Sequence, residues 1–317
     1  GDNKFRRYIK TEKYFERSYC RFYTGRRNSR CSIPSKKQII HILYTLINTI
    51  EDLKILNQEL LIKPYIGVDT EFRRTTKHNM RLALLQINDG EEIFLIDTIA
   101  ISNPKHHSSF LYSKSVTKIF HSCKEDLEAV YSWTKQKMLN IFDTQLANSF
   151  LYDEYSISYQ SIVEKNLGIV LQKNETRSNW LRRPLTDSQL KYAALDVEYL
   201  LHLYIEQRED LVSSNKIQWF YEDIEMLIHT AFNRDKIVKE LKRSIPKAEE
   251  EKILFDFNKA VLDISQREKI NSTLFFSKKA QKDFLRNIIS YGMKEACRTI
   301  TLWRKDLIED KILEILK

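Results

Sequence analysis

Hydrophobic positions along the chain fall into two regimes. Up to about residue 207, short β-branched and aromatic runs alternate with amphipathic stretches; from about residue 209 onward only helical periodicity is left. "IIHILYT" (39–45) reads as a strand, and "NTIEDLKILNQELL" (48–61) as an amphipathic helix capped by Asn48. Three strands follow at "YIGVDTEF" (65–72), "RLALLQI" (81–87) and "EIFLID" (92–97), the last two joined by the hairpin-type turn "NDGE". "VTKIF" (116–120) is a short buried strand, and "KEDLEAVYSWTKQ" (124–136) the helix after it. Further helices are expected at about 143–152, 158–167 and 186–207. The last opens with Thr186 and Gln189 in a capping-box pattern. The remainder reads as four or five helices with polar breaks at "NRD", "SIPKAE" and "QREKINS". Strands first and helices afterwards predict an α/β domain followed by an all-helical one.

Composition narrows the class. No apolar run reaches the roughly 18–20 residues that span a bilayer, so no membrane association is expected. Six Gly and five Pro exclude a collagenous or loop-rich design. Cys20, Cys31, Cys123 and Cys297 are scattered without zinc-ligand spacing, which reads as four free thiols. Of 52 Lys/Arg and 43 Asp/Glu, 12 and 3 fall in residues 1–37, leaving 40 of each sign in the rest. The whole net charge of +9 therefore sits in an N-terminal arm of interleaved Arg and Tyr/Phe. Such an arm suits phosphate contact and base stacking. A solvated tail and an organelle-targeting segment are the competing readings.

Three acidic motifs carry the candidate chemistry. Asp69 and Glu71 lie one residue apart in a strand, so both carboxylates stand on one face. Asp126 falls early in a helix, and Tyr192 and Asp196 share a helical face four residues apart. Buried like charges repel and are costly to desolvate, unless a hard divalent cation sits between them. Two Mg²⁺ or Mn²⁺ ions roughly 3.5–4 Å apart would serve in-line displacement at phosphorus. Taken singly, each motif is more often a solvent-facing edge or a core-and-surface pair than a catalytic feature.

Sequence context decides between these readings. "VDTEF" (68–72), "RLALLQI" (81–87), "IFLID" (93–97), "KIFHSCKEDLEAV" (118–130), "FDTQLANSFL" (142–151) and "ETRSNWLRRPLTDSQLKYAALDVEYLLHLY" (175–204) resemble, in this order, the DEDD superfamily of 3′–5′ exonucleases. The tyrosine-bearing branch, and specifically the ribonuclease D family, is the nearest likeness; "WFYED" (219–223) adds to it. The resemblance implies a ribonuclease H-like mixed sheet flanked by helices over residues 38–208. Residues 209–317 would be an all-α HRDC-like domain (helicase-and-RNase-D C-terminal), behind the basic arm of residues 1–37. Just over 100 helical residues are short for two such modules and suit one, or one plus a degenerate remnant.

Carried over onto this chain, Asp69 would bridge two metal ions. Glu71 and Asp196 would complete the site of the ion that holds the attacking water, and Asp126 would serve the second. Tyr192 would orient that water, since a phenol of ordinary pKa near 10 is a poor base at neutral pH. Thr70, Phe72, Gln86, His121, Asn148, Arg177 and Trp180 are candidate substrate contacts, each set against a structural role. Phe72 is a base-stacking or a core residue, His121 a structural histidine near the site, and Gln86 and Asn148 hydrogen-bonding groups by the cleft. Trp180 and Arg177 belong to a phosphate-facing or a packing loop.

The expected activity is metal-dependent 3′–5′ hydrolysis of RNA with a free 3′ end to nucleoside 5′-monophosphates, in the processing of tRNA 3′ ends or other structured RNA. A DNA exonuclease and a catalytically silent nucleic-acid-binding module are the alternatives. The expected location is cytoplasmic, or an organelle if the arm is a targeting remnant; no obligate protein partner is implied.

Overall fold

Among the described residues, seven strands build one mixed sheet: β1 (Arg6–Lys13), β2 (Gln38–Ile47), β3 (Tyr65–Thr76), β4 (Asn79–Asn88), β5 (Ile93–Asp97), β6 (Thr117–Phe120) and β7 (Ile141–Asp143). The computed structural model describes residues 6–13, 38–76, 79–171, 175, 178–232 and 245–317. These divide into two units, Gly1–Thr144 with Ile157–Glu206, and Gln145–Ser156 with Gln207–Lys317.

In the first unit the strand order is β1-β2-β5-β4-β3-β6-β7. The β3–β4 and β4–β5 pairs are antiparallel, while β3–β6 and β6–β7 are parallel. All five residues of β5 are buried, as is β4 from Leu82 to Asn88. Covered on both faces, these strands read as continuous apolar runs rather than alternating ones. The "NDGE" turn forms as expected. Gly90 adopts φ 93°, and Asp89 Oδ1 accepts the N–H groups of Glu91 and Glu92 at 2.9 and 2.8 Å. Two strands are additions to the sequence reading. β7 is only three residues long, and β1 lies within the basic arm, paired antiparallel with β2 from Arg6↔Thr45 to Lys13↔Gln38. Residues 1–5 and 14–37, with Cys20 and Cys31, lie outside the described residues.

The helices of this unit are α1 (Ile50–Leu61), α2 (Lys124–Thr134), the start of α3 (Thr144–Leu151), α4 (Tyr159–Leu167), α5 (Asp187–Glu198) and the start of α6 (Leu200–Ser213). Two expectations are corrected. The cap of α1 is Thr49, not Asn48: its hydroxyl accepts the N–H of Asp52 at 3.1 Å. The single helix expected over 186–207 is two helices broken at Tyr199. There the Tyr159 hydroxyl accepts the Tyr199 N–H at 3.0 Å and donates to Leu195 O at 3.2 Å. A side chain thus enters the i→i−4 ladder, which breaks a helix without interrupting its apolar periodicity. The capping box at Thr186 and Gln189 forms as the sequence implies.

The second unit holds the rest of α3 and α6 with α7 (Ile217–Ala231), α8 (Lys247–Glu268), α9 (Ser272–Phe276), α10 (Lys278–Tyr291), α11 (Met293–Cys297) and α12 (Leu302–Ile315). Trp303 sits at its centre, 5.1 Å from Trp219 and 5.6 Å from both Phe275 and Phe150 by ring centroid. Its indole N–H donates to Asp223 at 2.9 Å, and Arg304 holds the same carboxylate. The acidic end of "WFYED" is therefore a buried anchor. Lys216 explains why Gln145–Ser156 falls in this unit. Its ammonium donates to Phe150 O at 2.9 Å and to Lys269 O at 2.6 Å. Among the described residues, no helix is long and apolar enough to cross a membrane.

Candidate active site

Asp69 and Glu71 project from the same face of β3 as Gly67, by the two-residue period of a strand. Gly67 is there because the backbone of the next layer comes very close. A Cβ at Gly67 would lie 3.2 Å from Leu200 Cβ and 3.4 Å from Val197 O. Asn88, cross-strand from Gly67, donates to Val197 O at 3.0 Å and to Glu198 O at 3.2 Å. The C-terminal end of α5 is thereby pinned to the sheet one residue from Asp196. Carboxylate oxygens of Asp69, Glu71 and Asp196 come within 4.8 Å of one another. The phenol of Tyr192, one turn earlier on α5, hydrogen-bonds Asp196.

Asp126 approaches from α2, outside that three-carboxylate cluster but near enough for its charge to act on Asp69 and Glu71. It is buried, and the hydroxyl of Thr70, on the opposite face of β3 from Asp69, donates to it. The start of α2 is fixed by Asp143, whose carboxylate accepts the N–H groups of Ser122 and Cys123 at 3.0 and 2.8 Å. Ser122 takes the left-handed conformation, φ 69°, at this bend. His121 braces the bend from below: Nδ1 meets Thr144 Oγ1 and Nε2 meets Ile157 O, both at 2.9 Å.

Burial raises the affinity of each of these carboxylates for protons. Burial first, then the charges of Asp126, Asp196 and Glu71, push Asp69 well above the ordinary range. Burial and the charges of Asp196 and Asp126 push Glu71 up to about 9. Burial brings Asp126 and Asp196 to about 7, although hydrogen bonds from Thr70 and Tyr192 oppose the rise. Such a set is poorly compensated by protein alone. Its donors are hard oxygens converging on one point, which is the chemistry of a divalent cation.

The 3′–5′ exonuclease family matches residues 44–211, a stretch that contains all five of these groups. The chain belongs to this family. A ribonuclease D of Shewanella sp. (strain ANA-3) is 38% identical over 164 residues, which cover 52% of this chain and 42% of that protein. The match thus spans less than half the length of this curated relative. The crystal structure of Escherichia coli RNase D shares the fold, with a TM-score of 0.58 at 24% identity over 86% of this chain and 74% of that one. Brucella melitensis NrnC with bound Mg²⁺ also shares it, with a TM-score of 0.51 at 20% identity over 61% of this chain and 96% of that one.

The other predicted residues separate by position. Gln86 pairs cross-strand with Asp69 and is fully buried, and among the described residues neither of its amide atoms has a partner. Phe72 shares the face of Thr70 and Arg74, away from Asp69 and Glu71. Trp180 is buried with its ring 6.1 Å from that of Tyr192, and its indole N–H has no partner among the described residues. Asn148 belongs to the second unit, where its amide donates to Glu154 O at 2.9 Å. Arg177 lies outside the described residues.

Sequence reasoning passed over three supporting groups. Asp143 and Tyr159 hold the ends of the helices that carry Asp126 and Asp196. Arg183 clamps Asp97 at 2.6 and 2.7 Å and donates to Ala83 O at 2.8 Å, which ties the Trp180 segment to the sheet. Asp143 and Arg183 stood inside the motif tracts, but nothing in their spacing told anchor from ligand.

Proposed function

We propose that the chain is a metal-dependent 3′–5′ exoribonuclease of ribonuclease D type. The observation that carries this reading is the convergence of Asp69, Glu71 and Asp196 within 4.8 Å, in a chain of the 3′–5′ exonuclease family. The residues fit two divalent cations, Mg²⁺ or Mn²⁺: all donors are carboxylates, and burial with mutual repulsion leaves them short of positive charge. When bound, such ions neutralise the site and polarise a water and the phosphoryl oxygens for in-line displacement. Asp69, Glu71 and Asp196 would hold them from β3 and α5, and Asp126 from α2. Thr70 fixes the Asp126 carboxylate, and Tyr192 would orient the water while hydrogen-bonded to Asp196. Attack at the last phosphodiester breaks its bond to the preceding 3′ oxygen and releases a nucleoside 5′-monophosphate. Gln86 and Trp180, buried with unpartnered polar atoms among the described residues, are the best-supported substrate-side candidates.

In this reading residues 38–208 are the exonuclease domain and residues 209–317 an HRDC-like domain, with the basic arm of residues 1–37 as a further RNA contact. The substrate would be RNA with a free 3′ end, such as a tRNA precursor, and the location cytoplasmic. The experiment separates RNA from DNA. Matched oligonucleotides are incubated with Mg²⁺ or Mn²⁺ and the products chromatographed. Nucleoside 5′-monophosphates released faster from RNA support the proposal, whereas equal release from DNA would replace it with a general 3′–5′ exonuclease.

A further inference from the structure

Beyond the carboxylates, the same face of the β3–β4 hairpin carries a second charged feature of opposite sign. The register shifts between Glu71 and Phe72, where Ala83 of β4 is the extra residue; β3 has none there, so its alternation puts Arg73 on the side of Asp69 and Glu71, and Arg81 pairs directly opposite Arg73. Both residues are exposed. Like charges directly across a ladder destabilise a hairpin, so their placement needs a reason. The neighbouring Arg74 shows how this chain neutralises an arginine it uses for structure. It turns to the other face and pairs with Glu128 at 2.9 Å and Glu125 at 3.4 Å on α2. Arg73 and Arg81 have no carboxylate partner among the described residues.

What they lack is an anion, and their position says which kind. At about 3.4 Å of rise per residue, Arg73 stands roughly 7 Å along β3 from Glu71. A strand whose terminal phosphodiester lies at the carboxylates would pass over this pair with an adjacent phosphate. Four crowded carboxylates repel a polyanion, and two guanidinium groups beside them offset that repulsion. Guanidinium forks also match phosphate oxygens in geometry as well as charge. We propose that Arg73 and Arg81 form a clamp for a backbone phosphate of the RNA, next along the strand from the scissile bond. This rests on the reading of the chain as an exoribonuclease and adds to it the place where the strand is held.

The test is the salt dependence of binding. Affinity for a short unstructured, 5′-fluorescein-labelled oligoribonucleotide is measured by anisotropy in EDTA, which prevents metal-dependent cleavage. Wild type is compared with R73Q/R81Q and with K54Q/K114Q, a control that removes the same charge from exposed positions elsewhere in the unit. Each single-strand phosphate contact contributes about 0.7 to the slope of log affinity against log salt. Loss of the one clamped phosphate therefore lowers the slope by about 0.7 in R73Q/R81Q and leaves it at the wild-type value in K54Q/K114Q. A wild-type slope in R73Q/R81Q, or an equal loss in both variants, overturns the clamp. So does a lower melting temperature in R73Q/R81Q, because relieving repulsion cannot destabilise a pair that has no structural role. A wild-type protein that binds no RNA in EDTA overturns the clamp, whereas the exoribonuclease reading falls separately, by an absence of RNA cleavage with Mg²⁺ or Mn²⁺.

Discussion

The hydroxyl of Tyr159 stands where the helix hydrogen bond of Tyr199 would otherwise run, accepting from Tyr199 N–H at 3.0 Å and donating to Leu195 O at 3.2 Å. Asp196 lies between those two positions, so the break falls within one turn of its carboxylate. Tyr159→Phe keeps the ring and removes the hydroxyl, allowing the ladder to close and the helix to straighten. We expect a stability loss of about 1 kcal/mol from the lost hydrogen bonds. The metal concentration for half-maximal activity should rise about tenfold, which a purely structural defect would not produce.

Thr70 and Asp126 give a second prediction, read through pH. The Thr70 hydroxyl favours the ionised form of a carboxylate that burial has raised to about 7. Thr70→Val preserves shape and removes the donor, so Asp126 rises further. The acidic limb of the pH–rate profile for kcat/KM should move to higher pH, with the alkaline limb unchanged.

Stability of the metal-free protein should run against the usual direction. Folded-state values of about 7 for Asp126 and Asp196 and about 9 for Glu71 lie above the ordinary 3.8–4.5. Between those limits the native state holds more protons than the unfolded chain, so stability falls as pH rises. The stabilisation is complete below about pH 4 and is lost as pH passes through 7 and then 9. Melting temperatures in EDTA should decline over this window, and Mn²⁺ should flatten the decline by replacing protons with metal.

How much of this was legible in the sequence depends on what each residue answers to. Strand alternation was enough to place Asp69 and Glu71 together, and helical spacing to place Tyr192 with Asp196. Thr186 announced its helix because capping is a local, four-residue signal. The break at Tyr199 was hidden because its cause, Tyr159, lies 40 residues away on another helix. β1 was hidden because "RRYIKTEK" lacks apolar alternation: pairing with β2 gives it a strand conformation that its side chains do not advertise. Thr70 and Phe72, adjacent to the site in sequence, face away from Asp69 and Glu71, and the grouping of Gln145–Ser156 with the second unit depends on Lys216.

Gln86 separates stability from activity. A buried amide with both polar atoms unpartnered among the described residues costs about 1–3 kcal/mol. Gln86→Met keeps an unbranched chain of similar length and removes the polar group. It should raise the melting temperature of the metal-free protein while lowering turnover of RNA.

In the second unit, Asp223 and Arg304 form a largely buried pair that also binds the Trp303 indole. Asp223→Ala leaves a buried guanidinium uncompensated and should cost about 3–5 kcal/mol in denaturant unfolding. Replacing both residues with apolar ones of similar size should recover most of that loss.

The central claim is that Asp69, Glu71, Asp126 and Asp196 make a metal-dependent site acting at an RNA 3′ end. It is tested most directly with 5′-labelled single-stranded RNA, its 3′ end free or blocked, incubated with Mg²⁺ or Mn²⁺ beside an Asp196→Ala control. The account predicts a ladder that shortens from the free 3′ end, is absent with the blocked end or in EDTA, and disappears in the control. Shortening that survives Asp196→Ala, or no cleavage with either metal, would contradict it.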